Sequence, residues 1–130
     1  MASFYIASKF ENKAAVAALA AALESMGHTI SHKWFEVEAA YMEDAPKHAR
    51  EDFEGVRKCD IFAAIFVENF AYLNVYVELG AALAFGKLVC IIGHADDKCL
   101  FTRLEDAKIM RFSNTAVFMT WVMAAANGGG

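Results

Sequence analysis

The sequence predicts an α/β protein with a single three-layer sandwich, in which helices cover both faces of a mostly parallel, five-stranded sheet. Along the 130 residues, short runs rich in β-forming residues alternate with longer runs of helical periodicity. One short run, residues 61–67, is apolar without interruption, as expected for a strand that is covered on both faces. The connections between the runs are short, which favours a doubly wound arrangement.

The first two strands flank an Ala- and Leu-rich helix. Residues 3–7 form a β-rich run, and the helix over 13–26 follows it, with Asn12 as its N-cap and Gly27 as its end. The β-forming residues of 28–35 predict the second strand.

The second predicted helix is polar and begins at Pro46, because proline is favoured in the first turn of a helix. It runs to about Cys59, with Phe53 and Val56 as its inward face. The apolar run of residues 61–67 comes next and is the central strand of the predicted sheet.

A third helix is predicted over 74–85, and it ends at Gly86. The strand that follows it covers 88–92 and ends at Gly93. After a loop, the last predicted elements are a strand over 107–112 and a final helix. That helix runs through Met123 and has Ser113 or Asn114 as its cap.

This alternation favours the strand order 2-1-3-4-5 of flavodoxin-like sheets. Ligands of such sheets bind outside the carboxyl ends of the strands. We expect those ends near residues 7–9, 34–36, 67–73 and 93–97.

Composition indicates one domain and limits its partners. The domain is expected over 1–126, with a flexible Gly tail at 127–130. The net charge is -4 and the 12 Lys and Arg residues are scattered, so neither nucleic acid nor an anionic membrane is expected as a partner. A small molecule is the expected partner. The mean hydropathy of +0.31 is high for a short chain and predicts a homodimer or a larger homo-oligomer.

The cysteines and the N-terminus predict a cytoplasmic protein. Cys59, Cys90 and Cys99 are odd in number and lie in or beside apolar runs, which indicates reduced thiols. The first ten residues lack a basic leader with a long apolar core, so no secretory signal is expected. No run has the roughly 20 mainly apolar residues that a membrane span needs.

Common site motifs are missing from the sequence. It has no GxGxxG after the first strand, no GxxxxGK[ST], no receiver-type acidic pair and no GxSxG. His28 and His32 are four residues apart, but they fall on a predicted strand without an HExxH pattern, and there is no CxxC. We therefore expect no metal and no cofactor.

Glu78 is the one charged residue between Asn69 and Gly86, in a predicted helix that is otherwise apolar nearly all round. Such a helix is buried against the sheet or a partner subunit, so this carboxylate is expected to be partly buried. Burial of an unpaired carboxylate costs several kcal/mol or more unless hydrogen bonds or a shifted pKa relieve it. Two interpretations stay open: a hydrogen-bonded structural glutamate, or a catalytic carboxylate in a pocket.

Three strings, in this order, carry a resemblance to a known family: FYIASKF, DFEGVRKCDIFAAIF and YVELGAALAFGK. Together they resemble the nucleoside 2-deoxyribosyltransferase family and the related deoxynucleotide N-hydrolases, over Phe4 to about Gly93. The most specific part is the block from Glu78 to Lys87. The resemblance implies a doubly wound fold and cleavage of the bond between a nucleobase and deoxyribose.

By this resemblance Glu78 is the nucleophile that attacks the anomeric carbon and forms a glycosyl-enzyme ester. Asp52 matches the family's catalytic aspartate, which acts as general acid and then as base, with a pKa expected to be raised by the enclosing site. The alternative is a solvated helix residue. Tyr5 matches a strand-one tyrosine that orients the glutamate; the alternative is a core aromatic.

The resemblance also indicates substrate-binding residues. Trp34 is placed to stack on a base, or simply to pack. Tyr72 stands where the transferases have an aspartate that binds the sugar hydroxyls, so the sugar contact differs here. Ser8 and Lys9 precede the first helix, whose N-terminus favours an anion such as a 5'-phosphate; the alternative is a solvated turn.

Two classes of function follow. The first is an enzyme that cleaves a 2'-deoxynucleoside or its 5'-monophosphate, with transfer to another base or to water. The second is a binding module, a sensor or scavenger, that holds a nucleotide-like ligand without turnover. The replacement at Tyr72 is the main support for the second class.

Overall fold

The computed structural model describes residues 1–37, 41–67, 72–94 and 99–127. Its strands form one parallel sheet in the order β2-β1-β3-β4-β5, with helices on both faces, and this confirms the predicted fold class and strand order. The strands are β1 (Ser3–Ala7), β2 (Thr29–Ile30), β3 (Ile61–Phe66), β4 (Leu88–Gly93) and β5 (Ile109–Phe112). The helices are α1 (Lys13–Ser25), α2 (Ala45–Lys58), α3 (Leu73–Ala84) and α4 (Thr115–Asn127).

Successive side chains of β1 point alternately into two hydrophobic cores, one on each face of the sheet. Phe4 and Ile6 are buried in the core that contains α1 and α4. Tyr5 and Ala7 are buried in the core that contains α2 and α3. Because successive strand residues point to opposite faces, Tyr5 is directed toward the two helices that carry the predicted catalytic carboxylates.

The second strand is much shorter than the predicted run over 28–35, which is wrong in extent. Beyond Ile30 the chain is held by side chains: the Ser31 hydroxyl donates to the Gly55 carbonyl at 2.7 Å. The Trp34 indole N–H donates to the Ile6 carbonyl at 2.7 Å, and residues 34–36 form a 3₁₀ turn. These bonds replace a longer strand ladder and end the strand early.

The inward face of α2 is only partly as predicted. Val56 is fully buried, whereas Phe53 is 49% exposed and its ring lies against Phe85 at a centroid distance of 5.3 Å. The helix packs on the sheet through Gly55 instead. A β-carbon at Gly55 would lie 2.9 Å from the Tyr5 ring, so glycine permits this close approach.

Of the two asparagines predicted to cap helices, one makes a cap hydrogen bond and the other does not. Asn114 caps α4 as predicted, since its Oδ1 accepts the Val117 N–H at 2.9 Å. Asn12 occupies the N-cap position of α1, but its amide donates to Ser8 Oγ at 3.1 Å and makes no cap hydrogen bond. The predicted tail at 127–130 stays a prediction, because α4 reaches Asn127 and residues 128–130 lie outside the described ranges.

The three cysteines are free thiols. Cys59 and Cys90 are buried and Cys99 is partly buried, and burial raises the pKa of Cys59 to about 11.

Among the described residues, no helix has the length and apolar character to cross a membrane. Within the same ranges, no cluster of three or more His, Cys, Asp or Glu side chains could hold a metal ion.

Candidate active site

A cavity of about 210 Å³ opens at the carboxyl ends of β1, β2 and β3, the edge at which the sequence predicts a ligand. All seven predicted site residues line it, namely Tyr5, Ser8, Lys9, Trp34, Asp52, Tyr72 and Glu78. Seven further residues contribute to its wall, namely Phe10, Glu11, Val37, His48, Leu73, Asn74 and Val75. Residues 68–71 and 95–97 of the predicted strand ends lie outside the described ranges.

Tyr5 and Glu78 form the central contact of this cavity. Tyr5 Oη donates a short hydrogen bond of 2.6 Å to Glu78 Oε2. The tyrosine side chain is 1% exposed and its ring stacks on Phe62 at 5.8 Å. A rigid strand residue therefore holds one oxygen of the helical carboxylate.

Burial shifts both groups of this pair. The surrounding protein raises the pKa of Glu78 to about 8; the Tyr5 hydrogen bond lowers it and the charge of Asp52 raises it further. Burial, followed by the charges of Glu78 and Asp52, raises the pKa of Tyr5 well above 10. In the described part of the chain, no cation lies within ion-pair distance of Glu78.

The two interpretations of Glu78 can be compared with this geometry. The side chain is hydrogen-bonded, as a structural glutamate would be, but the residue also lines a cavity and is only partly buried. A carboxyl group that is partly desolvated, oriented by one donor and open to a ligand has the features of a catalytic group.

Asp52 reaches the same cavity from α2 and is 32% exposed. Its Oδ1 lies 3.3 Å from His32 Nε2, so the carboxylate has a partner within the fold as well as contact with solvent. His48 lies one turn earlier on the same helix and also lines the cavity. Sequence reasoning missed His48, although its spacing of four residues from Asp52 was a readable signal.

Trp34 both packs and lines the cavity. Its indole N–H is bonded to the Ile6 carbonyl, and its ring lies at 5.8 Å from Phe35 in an edge-on contact. The bond fixes the plane of the indole at the cavity wall. A fixed aromatic plane can accept a base by stacking, so the two roles proposed for Trp34 are compatible.

The predicted anion-binding residues already have partners inside the fold. The Ser8 hydroxyl donates to the Ile65 carbonyl at 2.9 Å, and Lys9 Nζ forms an ion pair with Glu11 Oε2 at 2.9 Å. A 3₁₀ turn over Phe10–Asn12 separates both residues from α1. An incoming phosphate would therefore compete with Glu11 for the lysine.

Tyr72 is 3% exposed, and its hydroxyl oxygen accepts the Val67 N–H at 3.0 Å. Its ring packs edge-on against Phe66 at 4.9 Å. Tyr72 lines the cavity, and by the sequence resemblance it stands at the position of a sugar-binding aspartate. Asn74, four residues before Glu78 on α3, is the nearby polar side chain that sequence reasoning missed.

Solved structures of other proteins share this fold, among them the following two. The Clostridium botulinum CMP N-glycosidase BcmB matches with a TM-score of 0.64 and 15% identity, over 93% of this chain and 98% of that one. A 2-deoxyribosyltransferase from the psychrotolerant bacterium Bacillus psychrosaccharolyticus matches with a TM-score of 0.58 and 24% identity, over 80% and 86%. No family model matches the chain, and no curated protein matches it significantly. The fold expected from the sequence resemblance is thereby confirmed.

Proposed function

We propose that this chain cleaves the N-glycosidic bond of a 2'-deoxynucleoside or its 5'-monophosphate. The observation that carries the proposal is the 2.6 Å bond from Tyr5 to Glu78 in a cavity that Asp52 also lines. The named activities of the two structures that share the fold, an N-glycosidase and a 2-deoxyribosyltransferase, support the same reaction class. The sequence resemblance supports the same residue roles.

In the first step, a carboxylate oxygen of Glu78 attacks the anomeric carbon of the sugar. The C–O bond of a glycosyl ester forms while the C–N bond breaks, and its electron pair leaves with the base. Asp52 donates a proton to the departing base. Tyr5 keeps one oxygen of Glu78 engaged and so orients the group.

In the second step, water or another base attacks the same carbon and Glu78 leaves with the electron pair of the ester bond. The Asp52 carboxylate accepts the proton released by the attacking group, which restores the starting state. Transfer and hydrolysis thus share one ester and differ only in the acceptor that reaches it.

The protonation state of the empty site fits this scheme. With the pKa of Glu78 raised to about 8, the empty site at neutral pH holds a proton mainly on Glu78. The reactive form has that proton on Asp52 and the charge on Glu78. A substrate whose anomeric carbon becomes positive favours this reactive form, because the negative charge then faces the developing cation.

The alternative is a non-catalytic nucleotide-binding module, a sensor or scavenger. The observation that favours it is Tyr72, which is buried with its hydroxyl engaged by Val67 where the resembled transferases bind the sugar. Under this alternative, the same cavity would bind a nucleoside or nucleotide, and Glu78 would stay protonated as a hydrogen-bonded wall residue.

One assay separates the two. The protein is incubated with the four deoxynucleosides, each with and without a 5'-phosphate, and free base is measured by chromatography. Base release from at least one substrate, lost in Glu78→Gln and kept in the surface control Glu54→Gln, supports the enzyme. Thermal stabilisation by these compounds without base release supports the binding module.

The covalent step has its own test. A 2'-fluoro analogue of the preferred substrate slows ester breakdown and allows the glycosyl-enzyme to accumulate for peptide mass spectrometry. We expect the sugar mass on the peptide that contains Glu78. A label on Asp52 would exchange the proposed roles, and turnover without any label would contradict a covalent intermediate.

We also propose that the chain forms a homo-oligomer. Apolar side chains of α2 and α3 are exposed in the single chain, including Leu73 at 75% and Val77 at 68%. Leu73 also lines the cavity, so a partner placed there would border the site. Sedimentation should give at least twice the monomer mass of 14.3 kDa, and a monomer would contradict the proposal.

A further inference from the structure

His32 is a half-buried histidine that lies behind the cavity. Its Nε2 is 3.3 Å from Asp52 Oδ1, and its side chain is 20% exposed. Asp52 lines the cavity, whereas His32 is not among the lining residues. The carboxylate therefore stands between the histidine and any bound substrate.

The fold fixes this histidine through its neighbours. The Ser31 N–H donates to the Phe4 carbonyl at 2.9 Å, and the Ser31 hydroxyl donates to the Gly55 carbonyl at 2.7 Å. A β-carbon at Gly55 would lie 2.7 Å from the His32 β-carbon, so glycine allows the histidine to approach α2. Strand β1 and helix α2 together hold the imidazole against Asp52.

We propose that His32 is a positioning residue that engages Asp52 Oδ1 and so leaves Oδ2 for proton transfer to and from the substrate. The inference rests on the proposed function and assigns a role that acts through Asp52. A carboxyl group held at one oxygen keeps a defined direction, and general acid catalysis depends on that geometry.

The imidazole contact limits how the Asp52 carboxyl group can turn. His32 Nε2 occupies one carboxyl oxygen at 3.3 Å, so the proton that the departing base needs is carried on the other oxygen, within the cavity that Asp52 lines. The charged and titratable groups around the pair are Tyr5 on β1, His48 on α2 and Glu78 on α3. Lys33, next in the chain, is paired with Glu24 of α1 at 3.0 Å.

Kinetics of two His32 variants test the role. In His32→Ala we expect kcat to fall about 10- to 100-fold for poorly activated bases while KM stays within about twofold, because His32 does not line the cavity. In His32→Gln the side-chain amide can still donate a hydrogen bond to Oδ1. We expect this variant to recover most of kcat.

Ser31→Ala is the matched control, since it loosens the same segment without removing the contact to Asp52. We expect it to lower the melting temperature while kcat for poorly activated bases stays within about twofold of the wild type. If the Ala and Gln variants of His32 lower kcat equally, and to the same extent for every leaving group, as a merely structural residue would, the proposal is overturned.

A measurement without turnover separates this inference from the proposed function. The imidazole resonances of His32 are recorded by NMR at neutral pH in the wild type and in Asp52→Asn. We expect the ring resonances of His32 to shift when the facing carboxylate is replaced, because the two groups are in contact. Unshifted ring resonances overturn the inference even if base is released. If no substrate is cleaved, the proposed function fails while shifted ring resonances still support the His32–Asp52 contact.

Discussion

The Tyr5 hydroxyl and the Glu78 carboxylate, 73 positions apart in the chain, meet at 2.6 Å. The contact exists because β1 directs Tyr5 toward the face of the sheet that α3 covers, and α3 begins at the carboxyl edge beside it. This bond is the one effect that lowers the pKa of Glu78 against burial and the charge of Asp52. It stabilises the ionised form that a nucleophile needs.

Tyr5→Phe should keep the fold and weaken catalysis. The phenylalanine ring can still stack on Phe62, but the loss of the hydroxyl raises the pKa of Glu78 above about 8. In the wild type, kcat/KM should fall as pH rises through about 8, because the carboxyl pair then loses its last proton. In the variant this alkaline limb should move to higher pH, and the plateau should drop about 10- to 100-fold. An unmoved limb in the pH–rate profile would argue against the hydrogen bond.

Asp52→Asn should move the dependence on pH in the other direction. The charge of Asp52 raises the pKa of Glu78, so its removal should bring that pKa below about 8. With no acid in the site, kcat/KM for an activated base should rise with pH to a plateau as Glu78 ionises. For substrates with unactivated bases, kcat/KM should fall by about 10²- to 10⁴-fold, the usual contribution of a general acid. Equal slowing of both kinds of substrate would contradict the acid role.

Glu78→Gln should abolish turnover and change how stability depends on pH. The pKa of the Glu78 carboxyl group is raised from an ordinary 4.5 in the unfolded chain to about 8 in the folded chain, so between these values the folded state holds a proton that the unfolded state has released. The free energy of unfolding of the wild type therefore falls as pH rises from about 4.5 to 8, by a few kcal/mol as an order of magnitude. A glutamine can still accept the Tyr5 hydrogen bond and does not titrate. Chemical denaturation at pH 5 and pH 8 should show the variant gaining over the wild type only at the higher pH.

The sequence was sufficient to predict the sheet because its signals are local. The uninterrupted apolar run of residues 61–67 and the glycines at 27, 86 and 93 mark elements without reference to the rest of the chain. The extent of β2 depends on remote contacts instead. The hydrogen bonds from Ser31 to Gly55 and from Trp34 to Ile6 join segments more than 20 residues apart, and no local sequence pattern predicts them.

The residues of the candidate site also differ in whether a local pattern or a remote contact identifies them. Glu78 was identifiable as a lone carboxylate in an apolar helix, and the family resemblance added Asp52 and Tyr5. His32 and His48 were not identified as residues of this site, because polar residues in a connection after a strand or on a polar helix are usually solvated. Only the approach of α2 to β1, through a residue without a side chain, brings His32 to Asp52.

That approach gives the last prediction, a comparison of two glycines. In Gly55→Ala the new methyl group would lie 2.7 Å from the His32 β-carbon and 2.9 Å from the Tyr5 ring, so strand and helix must separate. We expect a loss of about 1–3 kcal/mol of unfolding free energy, typical of overpacking in a core, and a fall in activity as both positioning contacts loosen.

Gly80→Ala is the matched control, since its methyl group would meet no atom within 4 Å. In the interior of α3 this change should stabilise the helix by up to about 1 kcal/mol, because alanine has the higher helix propensity. Denaturation curves and base-release rates of the two variants test whether the close packing at Gly55 matters for stability and activity. A Gly55→Ala protein as stable and active as Gly80→Ala would mean that close packing of α2 on β1 is not what holds His32 and Tyr5 in place.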